Sequence, residues 1–420
     1  MGGPSRDRPG RPRPEAPRPP GGRFVTATED APTIGGTAPA GPELPLTGVR
    51  VLDLGSYISG PCAAVLLAEM GADVIKVEPP TGDPFRKWES GGLNATFVAF
   101  NRGKRSVVLD LKSDDGRAHL LDLAGSADVL VENFRPGVME RLGIGWDVLR
   151  DLQPGLIHCS ITGFGSGGPY AGMPAYDGVA LGYSGLAGLL LDPEDPRLRG
   201  PALADAITGH SAAFAVLAAL HQRHRTGRGE HLEVSMLGAL VHFLHSAVAK
   251  NVVEGRDETP YLRPHSSQAY VFGTRDDRQV LIHLSSPPKF WQGLCAAVGR
   301  EDLLTDERFA ERGGRQRHYE VLRAELSPIF AGRDRDEWLQ VLQAHSVPCA
   351  PVNAVSEALE DPQLRHLGII DVLDEPGIGP MPQIRPPALF GGFALPAVRR
   401  APYLGEHSDE LLGTDVEGQS

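Results

Sequence analysis

Two aspartates in the middle of the chain stand where a carboxylate could do chemistry. Asp205 lies in GPALADAITG, at the start of an apolar, alanine-rich helical segment, and Asp177 lies in MPAYDGVALGYSG. A carboxylate there can accept hydrogen bonds from the backbone N–H groups of the first turn, which predicts a helix N-cap role for Asp205. The position also suits a nucleophile, because a carboxylate is ionised at pH 7 and nearby N–H groups can stabilise an oxyanion. The residues alone leave both roles, and both aspartates, open.

The histidines and cysteines do not form the pattern of a metal site. His221 and His224, and likewise His242 and His245, have the i, i+3 spacing of one helix face, but no matched cysteine or acidic ligands accompany them. The four cysteines are widely spaced, at Cys62, Cys159, Cys295 and Cys349. They form no C-x-x-C pair, so we predict buried thiols in a reducing compartment, with neither a zinc site nor a disulfide framework.

The elements that must position these side chains alternate between strands and helices. Residues 49–54 have the pattern of a buried strand, residues 60–70 that of a helix ended by Gly71, and residues 72–77 that of a second strand. The alternation continues through KRSVVLDL, ADVLVENF and LIHCSITGFG. It predicts a mostly parallel sheet with helices on both faces, and ligands bound beyond the carboxyl ends of the strands. The turn after the first strand lacks G-x-G-x-x-G, so no dinucleotide cofactor is predicted.

Length and charge narrow the class of protein further. A chain of 420 residues predicts two domains. Its net charge of -12 argues against nucleic acid or an anionic membrane as the partner, so an anionic ligand needs a local basic pocket. Residues 1–45 are rich in Pro, Gly and Arg and predict a disordered tail, although an upstream start codon would give the same composition. Without a signal-peptide core, an amphipathic transit peptide or an 18-residue apolar run, we expect a cytoplasmic protein.

A series of motifs runs through nearly the whole chain in a recognisable order. They are SYISGP, GADVIKVEPP, NRGKRSVVLDLK, ADVLVENFRPGVMERLG, SITGFGSGGPY, HRTGRGEHLEVSML, EDLLTDERFAERGGRQRH, VPCAPVNAVSEALEDPQL and APYLGEHSDELL. This series resembles the class III CoA-transferase family, also called the CaiB/BaiF family, from about residue 46 to 415. Each motif alone has little specificity, and the resemblance rests on their order.

The resemblance implies an α/β fold: a Rossmann-like, mostly parallel sheet domain plus a smaller α+β domain. The large CoA-binding domain would comprise residues 46–225 and 340–420, because the chain returns to it from a small domain at 230–330. Family members form homodimers in which each chain threads through a ring made by the other. We therefore expect an interlocked homodimer, which nothing in composition or periodicity indicates.

The resemblance also implies the reaction. The family's nucleophilic aspartate maps onto Asp205 and not onto Asp177. Asp205 would attack an acyl-CoA, form an aspartyl acyl anhydride and then an aspartyl-CoA thioester, and pass CoA to a carboxylic acid acceptor. Water must be kept out and the CoA thiolate held close for the thioester energy to survive. No permanently bound cofactor and no metal is required, since coenzyme A enters as part of the substrate.

The residues that would contact CoA follow from the same resemblance. They are Tyr57, Ile58, Ser59, Leu109, Lys112, Asn133, Phe134, Val138 and Arg141. Arg141 is the foremost candidate for a phosphate contact, because CoA carries a 3′-phosphate and a diphosphate that need cations. Val138 and Gly137 precede it by three and four residues, so no acid one turn earlier pairs with it. Lys104 and Arg105 are weaker candidates, because a basic turn before a strand is usually solvated.

Several positions depart from familiar family members. Those that use oxalate or formate have a glycine-rich loop that shields the active-site carboxylate, whereas this chain reads YLRPHSSQAYVFGTRDD, which argues against those substrates. Leu181 stands where Gln is common and Pro79 where Arg is common, which leaves the acyl substrate open. His265, Ser266 and Gln268 could contact a larger carboxylic acid, or belong to a polar loop without that role.

Three alternatives to transfer between two different acids follow. An α-methylacyl-CoA racemase would share the fold and CoA site, but it needs a second base, normally a His directly before the earlier acid, where this chain has Tyr176. A tyrosine with a pKa near 10 is a poor base at pH 7, which disfavours the racemase. Intramolecular transfer within one dicarboxylic acid stays open. A CoA-binding protein without turnover is disfavoured by the presence of Asp205.

Overall fold

Six short strands form one parallel sheet. The computed structural model describes residues 44–88, 94–375, 379–388, 390 and 399–413. The strands are β1 (Arg50–Asp53), β2 (Asp73–Glu78), β3 (Arg105–Val108), β4 (Val129–Glu132), β5 (Ile157–Thr162) and β6 (Glu230–Ser235). They lie in the order β3-β2-β1-β4-β5-β6, and every neighbouring pair is parallel. The predicted α/β fold with a mostly parallel sheet is confirmed.

Helices cover both faces of this sheet. They are α1 (Ser59–Glu69), α2 (Ala95–Asn101), α3 (Asp114–Ala124), α4 (Val138–Arg141), α5 (Trp146–Leu152), α6 (Asp177–Ser184), α7 (Leu186–Leu190) and α8 (Leu203–Thr226). Because side chains alternate along a strand, Val51 of β1 packs in the core with α1 and α8, and Leu52 packs in the opposite core with α3 and α5. A short 3-10 helix, Pro84–Lys87, follows β2.

Helix α8 is long and apolar enough, by length and composition alone, to span a membrane. The sequence contains no uninterrupted apolar run of 18 residues, but α8 combines a high mean hydropathy with few charged residues. In this structure α8 packs along α1 and against β5 and β6, and it buries Ala212, Val216 and Ala219 there. Those contacts are the ones a core helix makes.

A second, antiparallel sheet follows in the chain. It consists of β7 (Ala269–Gly273), β8 (Gln279–His283) and β9 (Cys349–Pro351), joined in that order. Helix α9 (Met236–Phe243) precedes this sheet and packs on α6 and α8, and α10 (His245–Glu254) follows α9. The other helices of this part of the chain are α11 (Leu262–Ser267), α12 (Pro288–Val298), the 3-10 helix Glu301–Leu304, α13 (Arg312–Arg317), α14 (Tyr319–Phe330) and α15 (Arg335–Ala344). Trp338, Phe330 and Leu322 belong to its own buried core.

The end of the described chain returns to the first sheet. Helices α16 (Val355–Leu359) and α17 (Pro362–Leu367) lead to a hairpin of β10 (Ile370–Glu375) and β11 (Gly379–Ile384), and α18 (Ser408–Leu412) follows. Ser106 N donates to His407 Nδ1 at 3.2 Å, and His407 N donates to Ser106 O at 2.9 Å. Val108 N donates to Ser408 Oγ at 3.2 Å, so this segment covers the outer edge of β3.

The predicted division into domains stays a prediction, and two strands bear on its limits. Strand β6 lies at 230–235, inside the range predicted for the small domain, yet it pairs with the large sheet. Strand β9 lies beyond residue 340, yet it pairs with the small sheet. The predicted tail, residues 1–45, falls almost entirely outside the described residues.

Candidate active site

Asp205 is not the N-cap of helix α8. The helix begins at Leu203 and Ala202 occupies the N-cap position, so Asp205 is the third residue of the first turn. The capping carboxylate comes from elsewhere in the chain: Asp177 Oδ1 accepts hydrogen bonds from Ala204 N at 2.7 Å and from Asp205 N at 3.3 Å. The N-cap prediction for Asp205 is therefore wrong. Because Asp177 satisfies these N–H groups, the Asp205 carboxylate need not do so.

The surroundings of Asp205 make it more basic than an ordinary aspartate. Burial, reinforced by the negative charge of Asp177, raises the pKa of Asp205 to about 6, while a hydrogen bond from Ser59 opposes the rise. A carboxyl group with that pKa is still mostly ionised at pH 7. It is also a stronger nucleophile than a solvated carboxylate, because reactivity rises with basicity while the group remains ionised.

Gly209 brings helix α1 against the helix that carries Asp205. A Cβ atom at Gly209 would lie 2.7 Å from Cys62 Cβ and 3.0 Å from Ser59 O, closer than such atoms approach. Gly209 is one helical turn after Asp205 and shares its face of α8. The loop SYISGP at the start of α1 therefore lies beside Asp205.

That loop is held by side chains from other strands. Asn133 Oδ1 accepts from Ser56 N at 2.9 Å, and Asn133 Nδ2 donates to Ser56 O at 2.8 Å and to Ser59 Oγ at 3.2 Å. Tyr57 has a φ of +62°, a left-handed conformation that costs a non-glycine residue roughly 1 kcal/mol. The hydrogen bonds on either side of Tyr57 keep it in this conformation.

A group of buried charges lies beneath the loop. Lys104 Nζ donates to Asp53 Oδ2 at 2.7 Å and to Pro61 O at 3.0 Å, and Lys76 Nζ donates to Gly55 O at 2.9 Å. Burial lowers the pKa of Lys104 to about 8, although Asp53 opposes the shift. Lys104 therefore supports the loop from beneath. It is neither a solvated residue of a basic turn nor a lysine free to contact a phosphate.

Arg105, the other weak candidate, lies at the amino end of β3. It pairs with Asp73 and with Glu410, which follows from the return of the chain. The carboxyl ends of the strands, where ligands are predicted to bind, lie at the opposite end of the sheet. The ion pairs of Arg105 thus hold it away from the predicted ligand site.

A cavity of about 390 Å³ opens at the carboxyl ends of β1 to β4. Four residues predicted to contact CoA line it: Leu109, Lys112, Phe134 and Val138. Pro79, the position where other members have Arg, lines it as well. Its size lies within the range of small-molecule sites, which is about 300–1,000 Å³.

The other predicted CoA residues are not among those that line the cavity. Tyr57, Ile58 and Ser59 belong to the loop beside Asp205, and Asn133 holds that loop. Arg141 is exposed at the end of α4, and among the residues described it forms no ion pair. The assignment of these residues to CoA stays a prediction. A cation without an acidic partner is available to a phosphate.

Replacing Arg141 by Ala is expected to weaken CoA binding by about 1.5–3 kcal/mol, because it removes a charge-assisted phosphate contact. The loss should appear in the affinity for the CoA donor and not in the stability of the protein. Calorimetry with CoA and with 3′-dephospho-CoA measures it. Equal affinities of Arg141→Ala and parent for both ligands would remove Arg141 from the site.

Aromatic side chains continue from the loop. Tyr57 meets the rings of Tyr176 and Phe85 edge to face, with centroids 6.1 and 5.5 Å apart, and Phe85 meets Trp88 at 4.8 Å. Burial and the nearby Tyr176 raise the pKa of Tyr57 above its usual value. These rings provide an apolar wall and supply neither a general base nor a cation.

The polar residues predicted to contact a larger acid are bonded within their own part of the fold. Gln268 Oε1 accepts from Arg315 Nε at 2.6 Å, and Ser266 Oγ donates to Leu262 O at 2.8 Å. The His265 ring stacks on Tyr319 with centroids 4.1 Å apart. Their role toward a substrate stays a prediction.

No group of three or more metal-binding side chains lies together in the part of the chain that the structure describes. The four thiols are free, and Cys349 is half-buried where the other three are buried. Burial raises the pKa of Cys62 to about 11, so this thiol near Asp205 is protonated at neutral pH.

The arrangement defines a class of protein: an α/β protein with a cavity at the carboxyl ends of its strands and a half-buried carboxylate of raised pKa beside the loop after β1. Comparison with known proteins identifies the class further. The model of CoA-transferase family III matches residues 46–408, and the chain belongs to that family of enzymes.

Individual relatives support membership of this family. The chain is 35% identical over 385 residues to the succinate–glutarate CoA-transferase of Agrobacterium fabrum, covering 88% of this chain and 95% of the relative. It is 36% identical over 338 residues to the acetyl-CoA:oxalate CoA-transferase of Acetobacter aceti, covering 78% and 85%. A crystal structure of a CaiB/BaiF family protein from Brucella suis matches with a TM-score of 0.80 and 32% identity, covering 89% of this chain and 100% of that one.

Proposed function

We propose that this enzyme transfers CoA from an acyl-CoA donor to a carboxylic acid acceptor through covalent intermediates on Asp205. The observation that carries the proposal is the Asp205 carboxylate itself, which has a pKa of about 6 and is relieved of capping by Asp177. Asp205 lies beside the loop after β1, and Ser56 of that loop lines the cavity. The chain belongs to CoA-transferase family III. A carboxylate of that basicity needs no general base to attack a thioester.

The first half of the reaction transfers CoA to the enzyme. One Asp205 oxygen forms a bond to the thioester carbonyl carbon, the C–S bond breaks, and the CoA thiolate leaves an aspartyl acyl anhydride behind. The thiolate then attacks the Asp205 carbonyl carbon. The C–O bond of the anhydride breaks, and the first carboxylate leaves an aspartyl-CoA thioester.

The second half repeats these steps in reverse order. The acceptor carboxylate attacks the Asp205 carbonyl carbon and expels the thiolate, which attacks the acceptor's acyl carbon in the new anhydride. Breaking the C–O bond to Asp205 restores its carboxylate and releases the new acyl-CoA. No proton is gained or lost, so the chemistry needs no cofactor besides the CoA of the substrate.

The remaining parts of the proposal concern the state of the protein. We propose that it works as an interlocked homodimer in the cytoplasm, without a nucleic-acid or membrane partner. Exposed apolar side chains on α8 and α10, among them Phe214, Val252 and Val253, support a partner surface. The names of the relatives above include acids with two carboxyl groups, so transfer within a single dicarboxylic acid is the second form to test.

A covalent trap is the direct test. Acyl-CoA supplied without acceptor is expected to leave CoA attached through Asp205, seen in the intact protein mass, and hydroxylamine should release it and leave a hydroxamate at that residue. Succinyl-CoA and acetyl-CoA donors, each combined with a panel of mono- and dicarboxylic acids, identify the substrates. An adduct that maps to Asp177 would contradict the proposed mechanism.

The racemase alternative makes the opposite prediction about the α-carbon. A 2-methylacyl-CoA incubated with the protein in deuterium oxide is expected to take up no α-deuterium beyond the level without enzyme. The reason is that Tyr176 holds the place of the second base, and a tyrosine hydroxyl is a poor base at pH 7. Rapid exchange, read by mass spectrometry, would favour a racemase instead.

A further inference from the structure

The side chain of Asn133 connects two parts of the site that are far apart in sequence. It follows β4, yet all three of its hydrogen bonds go to the loop after β1. An amide group has one oxygen and two N–H donors, and here the oxygen holds Ser56 N while the nitrogen serves Ser56 O and Ser59 Oγ. The direction of these bonds is fixed, because Ser56 N can only donate and Ser56 O can only accept. The amide nitrogen therefore faces Ser56 O, and it donates to Ser59 Oγ as well.

The bond to Ser59 leaves one hydrogen to be donated. A serine hydroxyl that accepts from Asn133 keeps its own O–H for another acceptor. Ser59 is buried and is the first residue of α1, and its backbone lies against α8 at Gly209. Asp205 lies one turn before Gly209 on the same face of α8, the face that meets Ser59, and interaction with Ser59 opposes the rise in the pKa of its carboxylate.

We propose that Asn133 and Ser59 are positioning residues for the nucleophile: Asn133 fixes the Ser59 hydroxyl, and Ser59 donates to the Asp205 carboxylate. The inference rests on the proposed function, in which Asp205 is the nucleophile. It gives Asn133 a different task from that of a CoA ligand. A hydroxyl held on one carboxylate oxygen leaves the other oxygen to attack the thioester in a fixed direction.

The readout is the pH dependence of Asp205 acylation. Mixing enzyme with excess acyl-CoA and no acceptor, and following release of the first equivalent of the donor's carboxylic acid between pH 4.5 and 8, reports the ionisation of Asp205. Ser59→Ala is expected to move the apparent pKa upward, because it removes a bond that favours the ionised form. The acylation rate should fall by roughly tenfold to a hundredfold through lost positioning. Ser59→Thr, which keeps the hydroxyl, should restore the parent's pKa.

Asn133 is tested through the same readout. Asn133→Ala should shift the pKa upward in the direction of Ser59→Ala, and the double variant should shift it no further, because both act through one bond. If Asn133→Ala does not unfold cooperatively, Asn133→Ser is used in its place. Two variants serve as controls: Asp177→Asn should lower the pKa by removing a like charge, and Arg141→Ala should weaken CoA binding without moving the pKa.

The outcomes separate the two proposals. If the parent forms the Asp205 adduct but Ser59→Ala leaves the apparent pKa unchanged, the positioning role is wrong and the proposed function stands. If Asn133→Ala weakens CoA binding and leaves the pKa unchanged, Asn133 is a CoA ligand only. If the parent forms no adduct on Asp205, both proposals are wrong.

Discussion

Asp205→Asn is expected to abolish CoA transfer and at the same time to make the protein more stable at neutral pH. The amide is a far poorer nucleophile than the carboxylate, so neither the CoA adduct nor the hydroxamate should form. The gain in stability follows from the raised pKa. Ionised Asp205 is penalised by burial and by Asp177, and the amide relieves both.

The pH dependence of the effect has a definite sign. Unfolded Asp205 titrates near pH 4 and folded Asp205 near 6, so the folded state binds more protons between these values and the parent loses stability as the pH rises through that window. The full shift would correspond to about 3 kcal/mol, and partial exposure together with the favourable charge at the start of α8 reduces the expected gain to about 1 kcal/mol. The variant and parent should have equal stability near pH 4.

Urea unfolding of parent and Asp205→Asn at pH 4, 5, 6 and 7, together with transferase assays, measures both effects. Asp110→Asn is a suitable control, because Asp110 is exposed beside the cavity and should show no comparable gain at pH 7. Retention of most of the transferase activity by Asp205→Asn would leave Asp205 without a chemical role.

Gly209→Ala is expected to damage both stability and activity, against the usual preference of helices for alanine. Alanine should stabilise an open helix position by about 1 kcal/mol relative to glycine. At Gly209 the new methyl group would lie 2.7 Å from Cys62 Cβ and 3.0 Å from Ser59 O, and a Cβ atom cannot turn away. Forced separation of α1 and α8 typically costs 1–3 kcal/mol, and subtracting the helix preference of alanine, about 1 kcal/mol, leaves an expected net loss of up to about 2 kcal/mol.

The same separation moves Ser59 away from Asp205, and we expect a fall in turnover on the order of a hundredfold, since displacements of about 1 Å have that effect. Gly182→Ala in α6 is the matched control: no atom lies within 4 Å of its Cβ position, and the variant should be as stable as the parent or more so. Thermal unfolding and steady-state kinetics on both variants decide the matter. A Gly209→Ala protein with unimpaired stability and turnover would show that the two helices can separate without cost.

The order of strands and helices could be predicted from sequence because it depends on local patterns. Valine, leucine and isoleucine indicate strands at β1 and β2, and Gly71 follows the end of α1 where the sequence indicated. The N-cap of α8 could not be predicted in this way. Its acceptor, Asp177, is 27 residues before Ala204, and no local pattern shows that a remote carboxylate already occupies the helix start.

The burial of Lys104 could not be predicted from the sequence either. The basic turn NRGKRS has the composition of a solvated turn, but Lys104 is buried because Asp53 and Pro61 O receive its ammonium group. The task of Asn133 depends likewise on partners in the loop after β1. A weak signal did exist, since Asp53 and Lys76 directly adjoin apolar residues of predicted buried strands, and a buried charge requires a partner.

The segment that returns to β3 also determines where the sheet stops growing. An outer strand with free backbone groups is a template for pairing with another polypeptide, and native proteins block such pairing. On β3 the N–H groups of Ser106 and Val108 are bonded to the side chains of His407 and Ser408. Side-chain acceptors satisfy the strand but present no further ladder of amides, so an incoming strand finds no register to extend. Residues some 300 positions later in the chain thereby block aggregation through strand β3.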